Sequence, residues 1–122
     1  MMKESIIGTK SFDFAVRIVR LYQYLNDKHE FVMSKQVLRS GTSIGANVSE
    51  ALEAQSKRDY ISKMSIALKE ASETIYWLKL LAATDYLTEQ QYQSIYNDAL
   101  EIKKILTAII KTAKQRLEAQ NE

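Results

Sequence analysis

Apolar residues recur at alternating steps of three and four along four stretches of the chain, which is the pattern of amphipathic helices. The first stretch shows this spacing at Phe14, Ile18, Leu21 and Leu25. The pattern predicts helices over residues 12–29, 34–55, 57–83 and 89–118. Because the links between these helices are short, we expect an all-α fold with a single domain, an antiparallel up-down-up-down four-helix bundle. This domain covers residues 1–122.

Residues suited to capping mark the starts of three helices. Thr88 and Gln91 are spaced as a capping box, in which each side chain bonds to the backbone N–H of the other residue. Ser56 is placed to cap the third helix in a similar way. For the first helix the sequence offers Thr9 or Ser11 as the cap.

The second helix has two unusual features. Gly41 and Gly45 each cost about 1 kcal/mol relative to alanine in a helix, so we expect a bend or a close helix crossing there. The polar side carries four residues that fall within about 80° of one another, at about 100° per residue. We call them the polar row: Arg39, Ser43, Asn47 and Glu50. Such a mixture of donors and acceptors is typical of charged groups held in an interface.

A bundle of one chain needs one apolar stripe per helix, and two helices carry a second one. On the first helix this is the Phe12 face: Phe12, Val16, Val19 and Gln23. On the third helix it is the Trp77 face, with Leu81 flanking it: Ile66, Glu70, Glu73, Trp77 and Leu80. Either the third helix is central in its own bundle, or the second stripes pack against another copy of the chain. We expect a homo-oligomer.

Glu70 and Glu73 are the natural acceptors for Arg39. They stand among large apolar residues, where an unpaired carboxylate is costly, and an arginine fork satisfies either of them. The sequence leaves open whether the pairing occurs within one chain or between two chains. The alternative is that these charges are all exposed to solvent.

Composition argues against most enzyme classes. The chain has no cysteine, no proline, three glycines and one histidine, His29. It therefore lacks thiolate metal sites, glycine-rich phosphate loops and the Glu-x-x-His pairs of di-iron bundles. For His29 we expect a capping or packing role. We predict no catalytic residues, no metal, no cofactor and no small-molecule substrate.

Seventeen basic and fifteen acidic residues give a net charge of +2. This net charge is too small to indicate a nucleic-acid partner by itself. The best candidate surface is the lysine face of the fourth helix: Lys103, Lys104, Lys111 and Lys114. Repeated around a ring, these lysines would form a positive band suited to an RNA backbone. Arg17 and Arg20 of the first helix are candidates to extend it. The alternative is that the lysine face of a single chain, which includes Glu118 in the same stripe, is an ordinary solvated surface.

The sequence gives no sign of a membrane protein. The N-terminus lacks the apolar stretch of a secretory signal, and the chain has no apolar run near the length of a membrane span. We expect a cytoplasmic protein with no membrane partner.

The stretch of the second helix from Leu38 to Ala51, LRSGTSIGANVSEA, resembles the 23S ribosomal RNA intervening-sequence protein family, small bacterial four-helix bundle proteins. Its Arg-x-x-x-Ser-Ile-x-x-Asn-x-x-Glu core carries the resemblance. RDYI at 58–61, ALKEASET at 67–74 and Trp77-Leu78 match the family's third helix in type and spacing. The resemblance implies an antiparallel bundle that assembles into a homopentameric ring. It does not imply any enzyme activity.

The accessory variability determinants of diversity-generating retroelements are more distantly similar. That resemblance implies a basic pentameric barrel that engages nucleic acid and a reverse transcriptase, from which this nearly neutral chain departs. We therefore predict a ring-forming binding or scaffolding module whose client is RNA or a protein. The alternatives are a purely structural homo-oligomer without nucleic-acid affinity, or an accessory protein of a retroelement.

Overall fold

The computed structural model of the protein describes residues 5–121. Over this range the chain forms four helices and no strand, so the all-α prediction is confirmed. The helices are α1 (Ile6–Asp27), α2 (Met33–Leu52), α3 (Lys57–Ala83) and α4 (Glu89–Asn121). None of them combines the length and the apolarity that crossing a bilayer requires, within the described residues.

The expected start of the first helix is wrong, because α1 begins six residues earlier than residue 12. Ser5, not Thr9 or Ser11, is the cap, and its hydroxyl accepts the Gly8 N–H at 3.0 Å. The extra turn is stable because Ile7 is buried in the core. That burial outweighs the cost of a glycine in the first turn.

The second helix ends at Leu52 instead of residue 55, which leaves Gln55 exposed outside it. The chain must turn here because Ser56 adopts an extended conformation to cap α3, where its hydroxyl accepts the Asp59 N–H at 3.0 Å. α3 has the expected bounds. α4 begins where expected and continues past residue 118 to Asn121. The Thr88–Gln91 capping box is confirmed, with reciprocal bonds of 2.9 and 3.1 Å.

Two helices end on a residue in the left-handed conformation, a position that favours glycine. His29 follows α1 with a φ of 62°, and Asp85 follows α3 with a φ of 68°. In each turn the next residue returns its N–H to the last turn of the helix, from Glu30 to Leu25 O and from Tyr86 to Leu81 O. His29 therefore has the capping role expected of it, through its backbone.

Consecutive helices pack side by side, and α4 returns to pack on α1. The predicted apolar stripes supply most of the core. The fully buried large side chains come from all four helices: Phe14, Ile18, Leu25, Val37, Ile44, Val48, Met64, Thr74, Leu78, Leu81, Ile102 and Leu106. Leu81, which the sequence placed beside the Trp77 face, belongs to this core instead.

α1 and α2 approach closely at the two glycines. A β-carbon on Gly41 would lie 2.7 Å from Cγ1 of Ile18, and one on Gly45 would lie 3.2 Å from the carbonyl oxygen of Ser11. The close helix crossing predicted for Gly41 and Gly45 is therefore confirmed. Small residues at these positions let the two backbones meet.

Candidate interaction surfaces

The polar row of α2 faces the Trp77 face of α3 within the same chain. The Arg39 guanidinium pairs with Glu70 at 3.4 Å and with Glu73 through its other terminal nitrogen. Glu73 also accepts a hydrogen bond from Trp77 Nε1 at 3.1 Å. One arginine thus bridges two carboxylates of the next helix, and the indole fixes one of them.

The three charges of this cluster differ in their exposure. The Arg39 side chain is 52% exposed, that of Glu73 34%, and that of Glu70 15%. Glu70 is therefore the group that depends most on its partner. Beneath the cluster the hydroxyls of Ser40 and Thr74 bond across the same two helices at 2.9 Å, and both are fully buried.

The other members of the polar row are engaged locally. Ser43 donates to the carbonyl of Arg39 at 2.6 Å, and Asn47 donates to that of Ser43 at 2.8 Å. Glu50 bonds Lys63 of α3 at 3.0 Å, and this bond raises the pKa of the Lys63 ammonium group. Ion pairs at both ends of the polar row therefore tie α2 to α3, while its two middle side chains bond only to the backbone of α2.

The rest of the Trp77 face is partly covered by its own chain. Trp77 packs against the edge of the core and Leu80 is half-buried, whereas Ile66 is 40% exposed. The neighbouring Tyr76 stacks edge-on against Trp77 and is also exposed. This face is therefore an apolar surface that carries an organised pair of carboxylates.

The Phe12 face is much more open. Phe12 is 68% exposed, Val16 43% and Val19 39%, so no described part of the chain covers them. Beside them α1 and α2 form a shallow groove of about 370 Å³ with a floor of small residues that includes Ala15, Gly45, Ala46 and Ser49. An exposed apolar face next to such a groove is typical of a protein interface.

The lysine face extends from the middle of α4 towards its end. Lys104, Lys111 and Lys114 are exposed, and Lys103 is half-buried. None of the four forms an ion pair within the described residues. Helical spacing alone brings them together, and none of the four has a fixed counter-charge among the described residues.

The sequence analysis missed two features around α1, one at its junction with α2 and one at its boundary with α4. Glu30 is buried, and its carboxylate accepts the N–H groups of Ser34 at 2.7 Å and Val32 at 3.3 Å, which caps α2. A carboxylate at a helix start is a recognisable signal, here four residues before Ser34.

The second feature is an open groove of about 520 Å³ between α1 and α4, bordered by Arg17 and Arg20. No pattern within a single helix predicts it.

Residues that could bind a metal are not gathered anywhere in residues 5–121. No cluster of three histidine or acidic side chains has suitable geometry there. His29 is exposed and lies edge-on to Phe31. Glu50 bonds Lys63, and Glu70 and Glu73 both bond Arg39.

Comparisons with known proteins agree with the architecture. The family model of the 23S rRNA-intervening sequence protein matches residues 3–108. A crystal structure of a protein with unknown function from the S23 ribosomal protein family of Bacteroides thetaiotaomicron is 62% identical, with a TM-score of 0.86. The match covers 87% of this chain and 99% of that chain. The search of curated proteins found no match. Because the family model matches most of the chain, the protein belongs to the 23S rRNA-intervening sequence protein family.

Proposed function

We propose that this protein is a non-enzymatic, cytoplasmic scaffold that assembles into a homo-oligomeric ring of antiparallel four-helix bundles and binds RNA through the lysine face. The observation that carries the proposal is the exposed Phe12 face. The number of subunits, five, rests on the family resemblance. The ring provides repetition, and repetition turns a modest cluster of lysines into a continuous positive band.

The antiparallel arrangement is supported by contacts that join the start of one helix to the end of the next. A β-carbon on Gly8, near the start of α1, would lie 3.4 Å from Cδ1 of Leu52 at the end of α2. Lys10, near the start of α1, pairs with Glu101 of α4 at 2.9 Å, whereas Arg17 pairs with Asp98 at 2.6 Å. The later residue of α1 thus pairs with the earlier residue of α4, as in an antiparallel pair of helices.

Ring formation is supported by the presence of two different apolar surfaces on one chain. The Phe12 face borders α2 on one side, and the Trp77 face borders α2 on the other. A contact between unlike surfaces is heterologous, and it generates a closed ring when the rotation between copies closes. Because small residues line the groove beside Phe12, it leaves room for large side chains of the next copy, Trp77 and Tyr76 among them.

The solution mass tests the assembly. Light scattering is expected to give about five times the chain mass of 14.0 kDa. Val16→Glu places a charge on the Phe12 face, where burial would leave it unpaired, so this variant is expected to run as a single chain. Gln115→Glu adds the same charge on the exposed surface of α4 and should keep the wild-type mass. A wild-type mass of one chain would overturn the ring.

RNA binding is supported by the four unpaired lysines and by their common face. Binding through such a surface is electrostatic, so affinity should fall steeply as salt rises and should depend little on sequence. The double variant Lys111→Glu/Lys114→Glu is expected to weaken RNA binding by at least about tenfold in a mobility-shift titration, because it removes two phosphate contacts.

A matched control for that variant is Lys35→Glu/Lys79→Glu, which changes the net charge equally on exposed positions of α2 and α3. Equal losses in the two variants would mean that net charge, not the lysine face, determines binding. No salt-dependent binding in the wild-type ring would favour the second candidate, a purely structural assembly. The near-neutral charge of +2 is the observation that speaks for it.

A further inference from the structure

α1 and α4 are the least closely packed pair of neighbouring helices, and an open groove lies between them. Its volume of about 520 Å³ lies in the range of ligand pockets in proteins. We call it the Arg20 groove, after the arginine on its rim. It belongs to neither the Phe12 face, the Trp77 face nor the lysine face.

The floor of the Arg20 groove is apolar. Leu21, Leu87 and Ile95 form it, and they retain 8%, 6% and 5% exposure, more than most of the core. These side chains line the groove. An apolar floor of this kind suits the face of a planar ring.

The rim of the groove is polar and carries no acid directed at the opening. Gln90 and Ser94 of α4 stand on one side, and Arg20 and Tyr24 of α1 on the other. A hydrogen bond from Gln91 and the neighbouring Lys28 lower the pKa of the Tyr24 hydroxyl. Lys28 also lies over the Tyr24 ring, 5.0 Å from its centroid. Donors therefore predominate around an apolar floor.

Two arginines border the groove, and their roles differ. Arg17 is neutralised because its guanidinium bonds Asp98 at 2.6 Å and the Ser94 hydroxyl at 3.2 Å. Arg20, one turn further along α1, forms no hydrogen bond or ion pair with any described residue and is exposed. The free positive charge of the rim is therefore that of Arg20, with Lys28 two turns beyond it.

We infer that the Arg20 groove binds an unpaired nucleotide of a single-stranded RNA, with the base on the apolar floor and the adjoining phosphate on Arg20. The amide of Gln90 stands where the edge of a base can bond to it. Lys28 follows Arg20 by eight residues, about 12 Å along the helix, so it meets a later phosphate of the same strand. Unlike the lysine face, this site requires a base that is free to leave a stack.

The shape and charge of the groove favour this ligand over others. An inorganic anion would bind Arg20 but would make no contact with the apolar floor. A purely apolar ligand would make no contact with the charge of Arg20. A nucleotide combines a planar base with a charged phosphate, and base contacts with little sequence preference are typical of single-strand binding sites.

Amide NMR spectra of the full-length protein, recorded during titration, test the inference. The probes are adenosine monophosphate, ribose 5-phosphate and a short oligoadenylate. We expect adenosine monophosphate to shift the Gln90 side-chain amide and the signals of residues on the groove floor, and to bind more tightly than ribose 5-phosphate. The oligoadenylate should bind more tightly still. Equal binding of the two monophosphates, or no shift in the groove, would overturn the inference.

Two variants separate this site from the lysine face. Arg20→Ala is expected to weaken oligoadenylate binding at the groove signals by about tenfold, since it removes a charge-assisted bond to phosphate. Arg58→Ala removes the same charge from an exposed position at the start of α3 and should change little. Lys111→Glu/Lys114→Glu should leave adenosine monophosphate binding intact. If that variant no longer binds RNA in the mobility-shift titration but still binds adenosine monophosphate in the groove, the result supports two separate sites.

Discussion

α1 meets its two neighbours in opposite ways. On the α2 side, Gly41 and Gly45 bring the backbones together, and Ile18 fills the space with no exposure. On the α4 side, contact is made by long side chains, as in the bond from Arg17 to Asp98, and an open groove remains. The difference shows how small residues close one boundary of a bundle, while charged residues span another without closing it.

The closed boundary is expected to contribute far more stability than the open one. Tight apolar packing excludes water completely, whereas exposed ion pairs are screened and cost side-chain entropy. The open boundary is therefore the one that can hold a ligand without a large loss of stability. Substitutions at each boundary test this comparison directly.

Gly41→Val should have the largest effect. The added β-carbon would lie 2.7 Å from Cγ1 of Ile18, a stiff β-branched side chain that is fully buried. Overpacking of this kind is expected to lower the free energy of unfolding by about 3 kcal/mol, measured by urea denaturation. Gln36→Val is the control, since residue 36 is an exposed position on the same helix. Equal stability of the two variants would show that the crossing can relax.

Arg39→Met should have an intermediate effect at the boundary of α2 with α3. Glu70 is only 15% exposed and would lose its cationic partner. Because Arg39 itself is half-exposed, water can replace part of the pairing, and we expect a loss of about 1–2 kcal/mol in the free energy of unfolding. The matched control is Arg58→Met, at an exposed arginine without a partner in residues 5–121. A loss no larger than that of the control would mean that Glu70 is solvated without Arg39.

Asp98→Asn should have the smallest effect. It weakens the ion pair with Arg17, whose two side chains are 41% and 47% exposed. The expected loss is about 0.2–1 kcal/mol, and it should shrink further at high salt. A loss as large as that of Gly41→Val would contradict the comparison, because it would make the open boundary as important as the closed one.

The sequence predicted the elements well wherever the signal was local. The capping box at Thr88 and the cap at Ser56 set the starts of α4 and α3, because each involves residues only three apart. The start of α1 was missed because burial of Ile7, which depends on the other helices, decides it. The cap at Glu30 involves residues only two and four apart, and what the sequence did not show is that this carboxylate is buried.

The candidate surfaces divide in the same way. Helical spacing identified the Phe12 face and the lysine face, since residues on one face of a helix can be found by counting. The assignment of Arg39 to Glu70 and Glu73 within one chain required the structure, because the sequence leaves the partner chain open. The Arg20 groove could not be found by counting, since it is made by two helices that are distant in sequence.

What the sequence by itself determined is the set of four amphipathic helices, the caps of α3 and α4, and the presence of more apolar surface than one bundle needs. Those properties depend on periodicity and on neighbours a few residues away. Only the tertiary structure decided how closely α1 approaches each neighbour, which charges pair, and where a groove stays open. These depend on the distances between helices, which the packing of side chains sets and no single helix contains.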